Sequence, residues 1–408
     1  MRITTVQYLF LLVSVGMILF WNIFSHGFAL DDFKQIVHNA SIHHIQNIPT
    51  IFTTSFLFAK GYADITNYFY RPMFYSVYTI LYALGVGNPL PFHIFQVLLY
   101  ITNTLLVFFF FSRLFSKPMS FFLALLFLIH PDNEEVAAYI ANIQDCLFFF
   151  FGMLALVKVQ KIKKDTIYTN VFVGILLLFS FLSKETGILF AILLPLFMFF
   201  FHRLWYKRYL LVSLVSIISY AILRLYASRT FFTTMATSYF HGSSSFHGRA
   251  AMIPRVVAYE LKDLFIPVPN LLLKNILSVN IILAYFTIAA SLLCFVGCAI
   301  LVRKSNSRMF PYFLFFSIWF WIGIGFHSQI IPLDVPLAKR WLYFSMMGVL
   351  GSVGILAEIY RQYIKNAVYF LVALYSLYIL FFTVETSLMN TYWTKVHETN
   401  PPLHSTKQ

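Results

Sequence analysis

Two neighbouring carboxylates, Asp31 and Asp32, stand just beyond the first membrane-length apolar run, Val6–Phe24. Only 11% of the 408 residues are charged, so acids at such a boundary are conspicuous. Desolvating them costs free energy, and where a bundle holds them they serve ions, protons or bond chemistry. Other polar residues fall at comparable places: Tyr70-Arg71-Pro72, His93, His130-Pro131, Glu134, Glu135, Asp145, Ser183-Lys184-Glu185, Arg224, Lys339-Arg340 and Trp393. Carboxylates mixed with arginine and lysine suit an anionic substrate and a base. A carboxylate takes a proton from an acceptor hydroxyl. A guanidinium or ammonium holds a phosphate and stabilises its charge as it leaves.

Each group also has a plainer role. Asp31-Asp32 suit a cap for a helix beginning near Phe33. Ser183-Lys184-Glu185 suits an ion pair joining two spans, and Lys339-Arg340 an interfacial anchor with Trp341 and Tyr343. His93 and His130 suit hydrogen-bonded structural positions. Arg224 lies in an apolar run four residues after Tyr220 and needs a partner there. Asp145, ten residues past Glu135, sits about 15 Å deeper if one helix carries both. It is then expected to pair with another span.

The elements that must position these groups are membrane helices. The chain is 60% hydrophobic with mean hydropathy +0.77. Its apolar runs are continuous rather than alternating, which excludes a barrel and a soluble domain. The expected fold is an all-α polytopic bundle of about eleven spans at the usual ~20-residue scale, some shorter and tilted. They are 5–26, 91–112, 118–131, 136–157, 167–183, 186–201, 209–226, 279–302, 309–330, 341–359 and 367–385. The first run is too long, and lacks a small-residue cleavage site, for a removable signal peptide; it is expected to be retained.

The net charge of +14 has a topological reading. Arg113, Lys117, Lys158, Lys161, Lys163, Lys164, Arg203, Lys207, Arg208, Arg303, Lys304, Arg308, Arg361 and Lys365 all fall in alternate short loops. All acids except Asp165 and Glu358 fall on the other side. The positive-inside rule therefore puts the N-terminus in the cytoplasm and the carboxylates outside. The charge implies a bilayer and not nucleic acid. One membrane domain, 1–408, is expected, with a first outer loop at 27–90, a second at 227–278 and an outer tail at 386–408. Ser55–Lys60 and Pro72–Val86 suit interfacial helices, and Ile253–Phe265 an amphipathic one. Gly242–Ser245 suits a mobile loop.

Cys146, Cys294 and Cys298 lie in apolar runs and suit small buried hydrophobes, with no disulfide framework or zinc site. No Gly-rich phosphate loop, HExxH or serine-elbow pattern occurs, so no metal centre and no soluble nucleotide site is read.

The order of the polar groups resembles the GT-C superfamily of membrane glycosyltransferases, in particular protein O-mannosyltransferase-like members with tetratricopeptide arrays. The matching stretches are Leu30-Asp31-Asp32-Phe33 with Ile36 and Asn39, Tyr70-Arg71-Pro72, Phe92-His93, His130-Pro131 with Glu135-Val136, Ser183-Lys184-Glu185, and Lys339-Arg340-Trp341-Leu342-Tyr343. Trp393 with Asn400-Pro401 resembles the tail pattern. Ile143 stands where an arginine is common, and Gln96 where an asparagine is common.

The resemblance implies a GT-C-like bundle and an inverting transfer of a hexose, mannose in the named relatives, from a polyprenyl-phosphate carrier. The acceptor is a protein, glycan or lipid hydroxyl. It also implies Asp31 as base, with Asp32 the second choice, and a donor phosphate held by Arg340 with Lys184 or Arg224. Arg71 and Lys339 complete the anion-binding set, and Tyr70, His93, His130, Glu135 and Glu185 support it. No cofactor is required, although an Asp31/Asp32 pair could bind a divalent cation. A plasma-membrane location with the site outside is expected. The rival reading is a transporter, or a flippase or polymerase of lipid-linked glycans, which calls for midplane polar groups and repeated halves.

Overall fold

The computed structural model describes residues 3–54, 69–228, 250–266, 276–330, 333, 335, 337–364, 380–381, 383–384 and 386–388. Among these there is no strand, and the helices are α1 (Thr5–Leu19), α2 (Ile48–Thr53), α3 (Pro72–Gly85), α4 (Leu90–Phe111), α5 (Lys117–Ile129), α6 (Glu134–Ala138), α7 (Ile143–Gln160), α8 (Ile167–Ser183), α9 (Ile188–Phe201), α10 (Tyr206–Ser228), α11 (Ile253–Asp263), α12 (Ile281–Ser305), α13 (Phe310–His327) and α14 (Leu342–Ile364). Six helices are long and apolar enough to cross a bilayer, and shorter apolar helices join them. The chain is an all-α polytopic bundle.

Local signals set the boundaries. Thr4 and Gln7 form a reciprocal capping box at the start of α1. Proline at the first or second position opens α3, α4, α5 and α13, where its missing N–H has no helical partner to lose. α3 stops at Val86, whose φ of 50° is left-handed, followed by Gly87 at 81°. Thr166 and Asn280 cap α8 and α12.

The expected spans shift in two instructive places. The first run is helical only to Leu19; Trp21–Ser25 tightens into a 3-10 turn in which Ser25 Oγ donates to the Asn22 carbonyl at 2.7 Å. Asn22 and Ser25 thus offer local bonds that compete with the α ladder. The run expected as one span at 136–157 is broken: α6 ends at Ala138, Tyr139 is extended (φ −89°, ψ 113°), and a 3-10 turn at Ile140–Asn142 leads into α7. Buried Gln96 on α4 makes the break affordable. Its Nε2 donates to the carbonyls of Val136 at 2.8 Å and Tyr139 at 2.7 Å, helping to satisfy backbone groups freed by the break. Asp145 therefore lies in the first turn of α7, and is not a deeper residue of the helix that carries Glu135.

Pro72–Val86 does form a helix, but α3 buries Phe74, Tyr75, Tyr78 and Leu81 while packing on α4 and α8. It packs as part of the bundle. α11 forms as expected. Ser55–Lys60, Gly242–Ser245, Trp393, Asn400-Pro401 and nearly all of span 367–385 lie outside the described residues.

Close helix contacts make the core stiff. A Cβ at Gly348 of α14 would stand 2.4 Å from the Phe320 amide and 2.5 Å from the Phe316 carbonyl of α13. Small residues permit such approach where lipid supplies no hydrophobic drive for helix association. Trp319 Nε1 donates to the Phe344 carbonyl at 3.0 Å, tying the same two helices again. α10 and α12 instead keep broad apolar faces exposed, as lipid-facing helices would.

Candidate functional site

Four ends of the bundle meet at the polar groups. The turn at Leu30–Asp32, the α6–α7 junction, the α8–α9 turn and the 3-10 turn before α14 converge there. At the opposite end Gln160 Nε2 donates to the Phe110 carbonyl at 3.0 Å and Asp165 pairs with Arg208. The acids and cations of the sequence reading therefore share one end.

Asp31 and Asp32 have unlike surroundings. Asp31 is exposed, and its amide donates to the Tyr139 hydroxyl at 2.9 Å. Asp32 is fully buried; its Oδ2 accepts from the Ala29 amide at 2.9 Å, and Oδ1 has no hydrogen-bond partner. Burial lifts the Asp32 carboxyl well above the usual carboxylate range, against the Ala29 and Ala141 amides. Leu30, just before them, is held at φ 46°, a costly left-handed conformation for a residue with a Cβ. Among the described residues, no three His, Cys, Asp or Glu side chains are grouped to ligate a metal ion.

Each expected anion-binding cation is met by a carboxylate. Arg71 donates through Nε to Glu185 Oε2 at 2.7 Å and through Nη1 to Gln144, and its guanidinium lies 3.9 Å over the Phe69 ring. Arg224 reaches Glu185 Oε1 at 3.2 Å and the Tyr220 hydroxyl at 3.1 Å, so Glu185 bridges two arginines. Lys184 Nζ is 2.6 Å from Asp145 Oδ1 in a nearly dry pair. Arg340 pairs through Nη1 with Glu135 Oε1, and its amide donates to Oε2 at 3.2 Å. Burial alone would raise Glu135, but Arg340 overcomes it and holds the carboxyl below the usual value. These cations are not standing empty. A substrate anion must compete with Glu185, Asp145 or Glu135 for them.

Lys339 is the most enclosed cation. Its ammonium is 3.3 Å from Asp132 Oδ1 and 3.9 Å from Asp263 Oδ2, with its side chain 4% exposed. His130 accepts the Asp132 amide on Nδ1 at 3.2 Å and meets the Leu264 carbonyl through Nε2 at 3.0 Å. That pattern requires the neutral imidazole with its proton on Nε2. Burial agrees, lowering His130 to about 4. Lys339 and His130 thus clamp α11 onto the segment before α6.

The supporting residues fall in place around these pairs. Tyr70 donates to the Phe52 carbonyl at 2.7 Å, and its own carbonyl accepts from Tyr220 at 3.3 Å. His93 is buried, with Nε2 3.4 Å from the Gly27 carbonyl and its ring at right angles to His26. Both histidines steady the turn that leads to Asp31.

Electrostatic proximity joins the clusters. Tyr75 lies in the fields of Arg71, Glu185 and Asp31; Tyr139 in those of Asp32, Asp31 and Arg340; Lys184 in those of Asp145, Arg340 and Arg71. Sequence reading missed Tyr139, Gln144, Asp132 and Asp263. Gln144 and Asp132 adjoin residues that it named, whereas nothing in the sequence marks Tyr139, whose partner is 108 positions away.

Comparison with known proteins gives partial likenesses. No family model matches the chain. Protein O-mannosyl-transferase TMTC3 of Mus musculus is 26% identical over 183 residues, covering 44% of this chain and 20% of that protein. Protein O-mannosyl-transferase TMTC4 of Homo sapiens is 26% identical over 198 residues, 43% of this chain and 27% of that protein. The matched stretch thus spans no more than about a quarter of the length of these relatives. A crystal structure of the Archaeoglobus fulgidus oligosaccharyltransferase with zinc and sulfate aligns with TM-score 0.49 and 15% identity, covering 94% of this chain and 53% of that one. The chain is similar in sequence to O-mannosyltransferases, as the order of its polar motifs implied.

Proposed function

We propose that this chain is a membrane glycosyltransferase that moves a hexose from a polyprenyl-phosphate carrier to an acceptor hydroxyl, with inversion. The observation that carries the reading is the convergence of an exposed acid, Asp31, with Arg340, Lys184, Arg71 and Arg224 at one end of an apolar bundle. The similarity to O-mannosyltransferases supports the class of reaction and makes mannose the first sugar to test.

Asp31 is the solvent-reachable acid of the pair and takes the acceptor proton. The acceptor oxygen attacks the anomeric carbon from the face opposite the phosphate. The carbon–phosphate-oxygen bond breaks, and its electron pair leaves on the polyprenyl phosphate. Cations stabilise that leaving anion as their carboxylate partners yield to it. Buried Asp32, favouring its neutral form, supports the turn and leaves the base role to its neighbour. The basic loops favour the outer face for this end, and the plasma membrane is the location proposed with it. The acceptor is a protein, glycan or lipid hydroxyl.

The decisive experiment compares glycans and glycoproteins by mass spectrometry from cells with the wild-type chain, without it, and with Asp31→Asn. The expected result is a hexose missing in the last two, with Asp31→Asn still present in the membrane. Full transfer by Asp31→Asn would refute the assigned base.

A further inference from the structure

Resting on that reading, we infer that Tyr139 is a positioning residue, and that the five-residue stretch Glu135–Tyr139 sets the distance between the base and the cation. One end of this stretch holds Arg340 by a side-chain pair and by the Arg340 amide, at 3.2 Å from Glu135 Oε2. The other end holds the base: the Asp31 amide donates to the Tyr139 hydroxyl at 2.9 Å. Both reacting groups hang from one short rigid element.

The stretch is itself pinned. Gln96 is fully buried and donates to the carbonyls of Val136 and Tyr139. The Asn142 amide donates to the Tyr139 carbonyl at 2.8 Å, and Asn142 Nδ2 donates to the Glu135 carbonyl at 3.0 Å. Tyr78 adds a bond from its hydroxyl to the Ile140 carbonyl at 3.0 Å. The glutamine at 96 has the reach to serve both carbonyls. An asparagine would retract the amide by about 1.5 Å and could not serve both carbonyls.

The need for such a hold is visible at Leu30. A left-handed leucine relaxes unless its surroundings fix it, and the bond from Asp31 to Tyr139 lies one residue away. Without the hydroxyl, the turn is free to carry the Asp31 carboxylate away from the acceptor oxygen. Misplacement of about 1 Å can cost about 100-fold in rate.

The test is a double-substitution cycle on transfer kinetics, using labelled mannosyl polyprenyl phosphate as donor and membranes from cells lacking the chain as acceptor. Tyr139→Phe keeps the ring and removes the hydroxyl. It should lower kcat per folded molecule about 10- to 100-fold while leaving donor KM within about twofold. In the Asp31→Asn background the same change should alter the residual rate by less than about twofold, because a residue acting through Asp31 has nothing left to position.

Equal losses in both backgrounds, or full kcat in Tyr139→Phe, would overturn the inference and leave the proposed function standing. Full activity of Asp31→Asn, or no transfer by the wild type, would instead remove the functional reading beneath it. Should Tyr139→Phe fail to reach the membrane, Gln96→Asn is judged by the same cycle and the same criteria.

Discussion

Replacing Asp145 by leucine or Lys184 by methionine should each cost more stability than making both changes. Their side chains are 3% and 9% exposed, and the 2.6 Å contact is close to ideal for a charged hydrogen bond. Removing one member strands the other in an apolar setting, at about 3–5 kcal/mol. The two singles are comparable in one further respect: Asp145 sits in the first turn of α7, where unpaired amides favour an anion, and Lys184 caps the C-terminus of α8, where unpaired carbonyls favour a cation, each by about 0.3–1 kcal/mol.

The double variant removes both charges and should recover most of the loss, giving a coupling energy of at least about 3 kcal/mol. Equilibrium unfolding in mixed detergent micelles reads all four proteins. Losses below about 1 kcal/mol for both singles, the range of solvated pairs, would refute the reasoning. If Lys184 also holds the donor phosphate, the double variant regains stability yet stays inactive in the transfer assay. Full activity would mark the pair as a strut.

Two further outcomes follow from packing and from protons. Gly348→Ala should destabilise by about 1–3 kcal/mol, because the added methyl meets backbone of α13 that cannot yield; unchanged unfolding would mean that α13 and α14 slide apart easily. Burial raises Asp132 from 3.8 to about 6 despite Lys339. The native state then keeps a proton between those values that the unfolded chain releases, so this group's contribution to stability falls as pH rises through the window. Glu135 has the opposite sign: its lowered value gives stability above the usual carboxylate range that is lost on acidification. Asp132→Asn should remove the first trend and keep the second in unfolding measured from pH 4 to 7.

The all-α bundle and the gathering of the named polar groups at one end were legible because apolar runs and charged punctuation are local signals. The pairing of Arg224 with Tyr220 was legible too, since four residues separate them on one helix. The break at Tyr139 was not. Val136–Ile143 reads as uninterrupted helix, and what stops it is an amide from Gln96 on another helix. That single unseen contact displaced the expected depth of Asp145. Likewise, the sequence marks Lys339 and Arg340 as twin cations, but only the fold separates an almost enclosed lysine from a half-buried arginine.

The close seam between α13 and α14 constrains how any substrate can be met. Gly348 lets the two backbones touch, Trp319 bonds across, and His327 stacks on Trp341 at 5.2 Å beside Arg340. Arg340 stands in the 3-10 turn that opens α14, beside this seam, so its backbone is fixed as long as α13 and α14 stay packed. On the proposed reading, a donor is selected by what fits against a cation whose backbone is held by that seam.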